Sequence, residues 1–143
     1  MLVVQSLLAE ARSIDVAAVR DCPEKGNTLL HLALSKTIGN KGDAYASQAA
    51  HVTSVLDCLL QRCGSVVNDA NKKCPANSGG GESPLTIAAD DGLLGACHLL
   101  LANGANANFR VNNGVPDGHL FTPLLYAAKI AALNSGIRDQ SAL

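Results

Sequence analysis

Apolar residues recur at spacings of three and four along two stretches of the chain. In one, Leu93, Leu94, Cys97, Leu100 and Leu101 form a single stripe and predict a helix from about Leu93 to Ala102. In the other, Val52, Val55, Leu56, Leu59 and Leu60 share a face and predict a helix from His51 to Arg62. A shorter apolar run precedes each, opened by a hydroxyl residue: Thr28 opens TLLHLAL, and Ser83 stands before Pro84, Leu85, Ile87, Ala88 and Ala89. A side-chain acceptor followed by a residue without an amide hydrogen is what a helix start requires. Thr122-Pro123 repeats the device and predicts a helix from Pro123 to Leu133. Gly92 and Gly104 stand where a left-handed residue closes a helix.

The unit is therefore helix, turn, helix, extended loop. Helices this short do not bury their stripes alone, so units must stack on their neighbours. Three insertions lengthen the spacing: Ser35 to Ala50 between two helices, Asn71 to Glu82 before the next unit, and Phe109 to Phe121. Loop length costs little closure entropy, so a stacked core permits them. Gly39, Asn40 and Gly42 favour a loop in the first insertion, while Ala44 to Ala50 suits a backward extension of the following helix. Upstream, Leu7 to Ala11 and Asp15 to Val19 read as a degenerate helix pair, clipped before Cys22-Pro23. The expectation is one all-α domain over residues 1–143, with units at about 5–25, 26–80, 81–119 and an incomplete 120–143. The closing NSGIRDQSAL suggests a fragment of a longer protein or an inserted loop cut short.

Composition narrows the class. With no Trp, two Tyr and two Phe, the core must be built from Leu, Val, Ile and Ala, which helices tolerate well. Eleven basic and twelve acidic residues leave a net charge of −1 without a long like-charge run, which argues against nucleic acid as a partner. The apolar N-terminus is interrupted by Glu10 and Arg12, well short of a membrane span. Five cysteines without CxxC pairs suit reduced thiols in an intracellular, cytoplasmic or nuclear setting, and the ligand-pair spacing of a zinc site is missing.

In register, Ser83-Pro84-Leu85, Ala88-Ala89, Gly92, Leu99-Leu100-Leu101, Gly104-Ala105 and Asn108 resemble an ankyrin repeat. Thr28-Leu29-Leu30-His31-Leu32-Ala33 resembles the start of another, with Leu29 in place of Pro. The interval from Thr28 to Ser83 far exceeds the family period of about 33 residues, as the insertions require. The resemblance implies an ankyrin-repeat solenoid of stacked helix-turn-helix units with long inserted loops. It further implies that Thr28 and His31 form a hydrogen-bonded structural pair. It also makes Asn68 and Asn108, each with a Leu eight residues earlier (Leu60 and Leu100), candidates for asparaginyl hydroxylation. The simpler role for each Asn is a side chain bonding its own turn.

Candidate chemistry is thin. His31 has Ser35 and Cys22 nearby in sequence, yet no oriented base and nucleophile can be argued. Gly79-Gly80-Gly81 lacks the strand before it and the Lys-Ser or Lys-Thr after it that a phosphate cradle needs. Asp90-Asp91 reads as a solvated turn. No catalytic residue, cofactor or metal site is expected. What remains is a non-catalytic scaffold binding a protein or peptide partner through loop tips and first helices, as a monomer. The alternative is a regulatory or substrate-docking region of a larger enzyme or channel. The loops from Asp69 to Glu82 and Phe109 to Phe121 would project at the same edge. Lys72 and Lys73 in one, and Phe109, Arg110, Val111, His119 and Phe121 in the other, are the candidate binding residues, since aromatics and Arg anchor interfaces. The competing role for Phe109 and Phe121 is to pin the long loop onto its neighbour.

Overall fold

A computed structural model describes residues 2–10, 12, 15–19, 26–35, 44–69, 81–112 and 120–139. The helix starts follow from local chemistry. Ser83 is extended (φ −80°, ψ 161°), and its Oγ accepts from the Thr86 amide at 3.3 Å, opening helix α4 (Pro84–Asp90) with Pro in the first turn. In the same way the Thr28 hydroxyl accepts from the His31 amide ahead of α2 (Leu29–Ser35), and the Thr122 hydroxyl from the Leu125 amide at α6 (Pro123–Asp139).

The two helix ends around α5 (Leu94–Ala102) share one geometry. Gly92 (φ 68°) and Gly104 (φ 90°) are left-handed. The amides that follow reach back: Leu93 to the Ala88 carbonyl and Gly92 to Ala89; Ala105 to Leu100 and Gly104 to Leu101. These paired bonds satisfy carbonyls a helix end leaves open, and Leu93 with Ala88, like Ala105 with Leu100, is buried beside them. The helix before α4 ends differently. α3 (Ala44–Cys63) runs into a 3-10 turn at Gly64–Val66, without a left-handed glycine.

The helices pack as pairs, α2 on α3 and α4 on α5, and the pairs pack on one another, α2 on α4, α4 on α6 and α3 on α5. Two layers result. One contains α2, α4 and α6; the other contains α3 and α5. Between them lies a core in which Leu30, Leu34, Leu56, Ala96 and Leu100 have no exposed surface. A smaller cluster of Ala89, Val111 and Tyr126 joins α4 to α6, with Phe109 and Cys97 packed against it. Where α5 crosses α3, a Cβ added at Gly95 would stand 3.0 Å from Thr53 Oγ1, so the glycine sets how closely the two helices approach.

At residues 5–25 the degenerate helix pair is present in shortened form: α1 (Leu2–Glu10) packs on α3, and a 3-10 helix at Val16–Ala18 packs on α3 and on the turn at Gly64–Val66. α1 is the longer of the two. Its last turn is held by arginines, Arg62 donating to the Leu8 carbonyl and Arg12 Nε to Ala9 at 3.1 Å. One expectation needs correction: the last insertion is no open loop at its base. β1 (Val111–Asn112) and β2 (Leu120–Phe121) pair antiparallel, Val111 opposite Phe121 and Asn112 opposite Leu120. The chain is mostly helical with this one small ribbon, and no helix among the described residues is long and apolar enough to cross a membrane.

Candidate interaction surface

Side chains that bond across units fix how the stack presents its edge. The Thr28 amide donates to His31 Nδ1 at 3.1 Å, so Nδ1 is an acceptor and the ring proton lies on Nε2. Thr28 Oγ1 lies 2.8 Å from the same nitrogen, and Nε2 donates to the Glu82 carbonyl, also at 2.8 Å. His31 is buried and both ring nitrogens are engaged, one within its unit and one with the segment leading into α4. In α4 the equivalent pair is Ser83 with Thr86, hydroxyl to hydroxyl at 3.0 Å, and at α6 the position is taken by Leu125.

Asn68 makes the second crossing. Its Nδ2 donates to the Gly104 carbonyl at 3.0 Å, and its Oδ1 accepts from the Asn106 amide at 2.6 Å. The side chain therefore spans to the next unit's turn instead of closing its own. Asn108 does not repeat this: its amide donates to Asn106 Oδ1 at 3.0 Å, and the turn there is closed by Asn106. Asn68 and Asn108 are both exposed. Asn106 and the Glu82 carbonyl went unmarked in the sequence, because a backbone acceptor carries no residue signature and an Asn in a run of alternating Ala and Asn has no distinguishing neighbour.

The candidate binding residues are divided by the structure. Val111 has no exposed surface and belongs to the cluster with Ala89 and Tyr126, so it is not available to a partner. Phe109 is half-buried against the same cluster, the pinning role. Arg110 lies between them and is exposed, as alternation along an extended segment demands. Phe121 pairs through its backbone with Val111, and its side chain lies outside the described residues, as do His119, Lys72 and Lys73. Cys22 and Cys74 also lie outside them.

Two cysteines sit inside the stack. Burial pushes the Cys63 thiol above its ordinary value, a shift opposed by Arg62 and reinforced by Asp15; burial likewise raises Cys97. Both are free, as is Cys58. Between α1 and α3, at the other end of the stack from the ribbon, a polar groove of about 600 Å³ is lined by Gln5, Arg12, Asp57, Gln61 and Arg62 among others. Among the described residues no three His, Cys, Asp or Glu side chains gather as metal ligands would. Compared with known proteins, the chain matches no family model, no curated protein and no solved structure.

Proposed function

We propose that the chain is a non-catalytic scaffold of the ankyrin type, which binds a partner protein or peptide at the edge formed by the β1–β2 ribbon and the neighbouring first helices. The observation that carries this reading is the anchoring of the ribbon. Val111 is locked in a cluster with Tyr126 and Ala89, so Arg110 projects from a base whose position is set by packing rather than by a free loop. A backbone held that way loses little freedom on binding, and the exposed Arg110 guanidinium suits a partner offering a carboxylate. The stacked helix pairs support the ankyrin assignment, as do the Thr28–His31 bonds. Three free thiols support a reducing, intracellular setting.

The test is affinity capture with the wild-type chain against Arg110→Glu, with circular dichroism confirming that both are folded. Selective loss of a retrieved protein from Arg110→Glu is the expected result. Equal retrieval by both chains would remove Arg110 and the ribbon from the binding surface.

A further inference from the structure

The bonds around His31 fit only one protonation state of its ring. Nδ1 already accepts the Thr28 amide proton at 3.1 Å, and Thr28 Oγ1 stands 2.8 Å from the same nitrogen. Nε2 donates to the Glu82 carbonyl at 2.8 Å, which uses the single proton of the neutral ring. A second proton has only Nδ1 to go to, where it meets the Thr28 amide proton head on. His31 and Thr28 are each 1 % exposed, so neither turns to water without opening the contact between α2 and the segment entering α4. Charge in such a place is penalised twice, by burial and by the displaced donor. Among the described residues, α2 holds no other titratable group and α4 holds only Asp90, at its far end. On α3, which packs against α2, the groups are Tyr45, His51, Asp57, Cys58, Arg62 and Cys63. Of these, Asp57, Cys58 and Arg62 line the groove with α1, His51 is exposed, and Cys63 is a buried neutral thiol. The Glu82 segment meets the ring at Nε2, opposite the nitrogen that would gain the proton.

We propose that the contact of Thr28, His31 and Glu82 is an acid-sensitive latch, in which protonation of His31 Nδ1 unseats the start of α2 and loosens the α2–α3 pair from α4. The Thr28 amide loses its acceptor at the first turn of α2. The imidazolium leaves its buried position for water, and the bond from Nε2 to Glu82 goes with it. The sign follows from where the proton binds. The folded chain holds the neutral ring, whereas the unfolded chain takes up the proton at about pH 6.5, the ordinary value for histidine. The latch is therefore fully engaged above that pH and weakens as pH falls below it, by up to about tenfold in the folding equilibrium per pH unit. Carboxylates ordinarily titrate about two units lower, so the window from pH 7 to pH 5 is governed by histidine.

Two measurements on the full chain test the latch. The first follows the His31 ring by NMR as pH is lowered, in the folded wild-type chain and in the same chain unfolded in urea. The expected result is a folded-state ring that stays neutral, with Nδ1 bare, at the pH where the unfolded ring is half protonated. The Thr28 amide resonance should move only when that ring titrates, since its proton points at Nδ1. Titration of His31 at the same pH in both states, with folding intact, overturns the proposal. The second compares urea denaturation of wild type with that of His31→Gln, which offers the Glu82 carbonyl an uncharged donor. Between pH 7 and pH 5 the wild-type folding equilibrium should fall about tenfold or more beyond that of the variant. Parallel curves overturn the proposal. The remaining histidines are common to both chains, so the difference belongs to His31, and if His31→Gln does not fold, the ring titration alone decides. Neither measurement involves Arg110, so the latch and partner capture succeed or fail separately.

Discussion

His31 shows how much of the stack is carried by single polar side chains. It is buried, takes two contacts from Thr28 at one nitrogen and gives one to the Glu82 carbonyl at the other. His31→Leu keeps the volume but leaves the Thr28 hydroxyl and the Glu82 carbonyl without that partner, at a cost of about 2 kcal/mol in urea denaturation. Asn68→Ala removes a comparable crossing at an exposed site, where water replaces the lost bonds, and a loss of about 1 kcal/mol is expected. Equal losses at the two sites would show that burial is not what makes His31 costly to replace. The buried thiols give a second measurement at this scale. Because burial disfavours the Cys63 and Cys97 thiolates in the folded state, the unfolded chain releases those protons first as pH rises through the ordinary value of 9.0. Their contribution is thus fully present below that pH and falls above it. The urea midpoint of wild type should drop more steeply between pH 8 and 10 than that of the Cys63→Ala, Cys97→Ala double variant; parallel curves would contradict the assignment.

Between elements, the crossing of α3 and α5 turns on Gly95 and Thr53. A glycine within a helix ordinarily costs about 1 kcal/mol relative to alanine, so Gly95→Ala ought to stabilise. Here its new Cβ would meet Thr53 Oγ1 at 3.0 Å and Cγ2 at 3.4 Å. The expected outcome is no gain for Gly95→Ala alone, and a gain of about 1 kcal/mol when it is made in a Thr53→Ala background, a coupling that a double-mutant cycle reads directly. Additive effects would mean the helices shift apart freely. This contact was not legible in the sequence, because the meeting of two residues far apart in the chain depends on the angle at which the helices cross. Local signals were legible. Ser83-Pro84, Gly92 and Gly104 announced their helix ends correctly, since a cap involves only neighbouring residues. The helix read as His51 to Arg62 begins at Ala44, the backward extension that Ala44 to Ala50 suited, and the one read as Pro123 to Leu133 continues to Asp139, because helices lengthen past the end of their apolar stripe where nothing stops them. Which helix the segment at Leu7 packs on was not legible: its apolar run fits either helix of a pair, and only the fold sets it on α3. Val111 was misread for a related reason. An apolar residue in a long loop looks like a contact site until the loop is seen to pair with itself and turn that residue inward.

Across the whole molecule, the core is uneven along the stack. The main cluster runs from Val16 to Ala105 and ties α2, α3, α4 and α5 together, whereas α6 and the ribbon depend on the three-residue cluster of Ala89, Val111 and Tyr126. In a stack where each pair touches only its neighbours, stability is distributed unit by unit, and the end with the smaller interface opens first. Tyr126→Ala removes the largest side chain of that cluster. Truncating a buried aromatic costs about 3–5 kcal/mol, but here the loss should stay local. Hydrogen exchange should show α6 and the ribbon exchanging together and losing protection on Tyr126→Ala. The amides of α3 and α5 should keep theirs to within about 0.5 kcal/mol, the usual limit for distant, independent sites. If protection falls uniformly through α3 and α5 instead, the chain unfolds as a single cooperative body, and α6 cannot be moved by a partner at the ribbon without destabilising the whole stack.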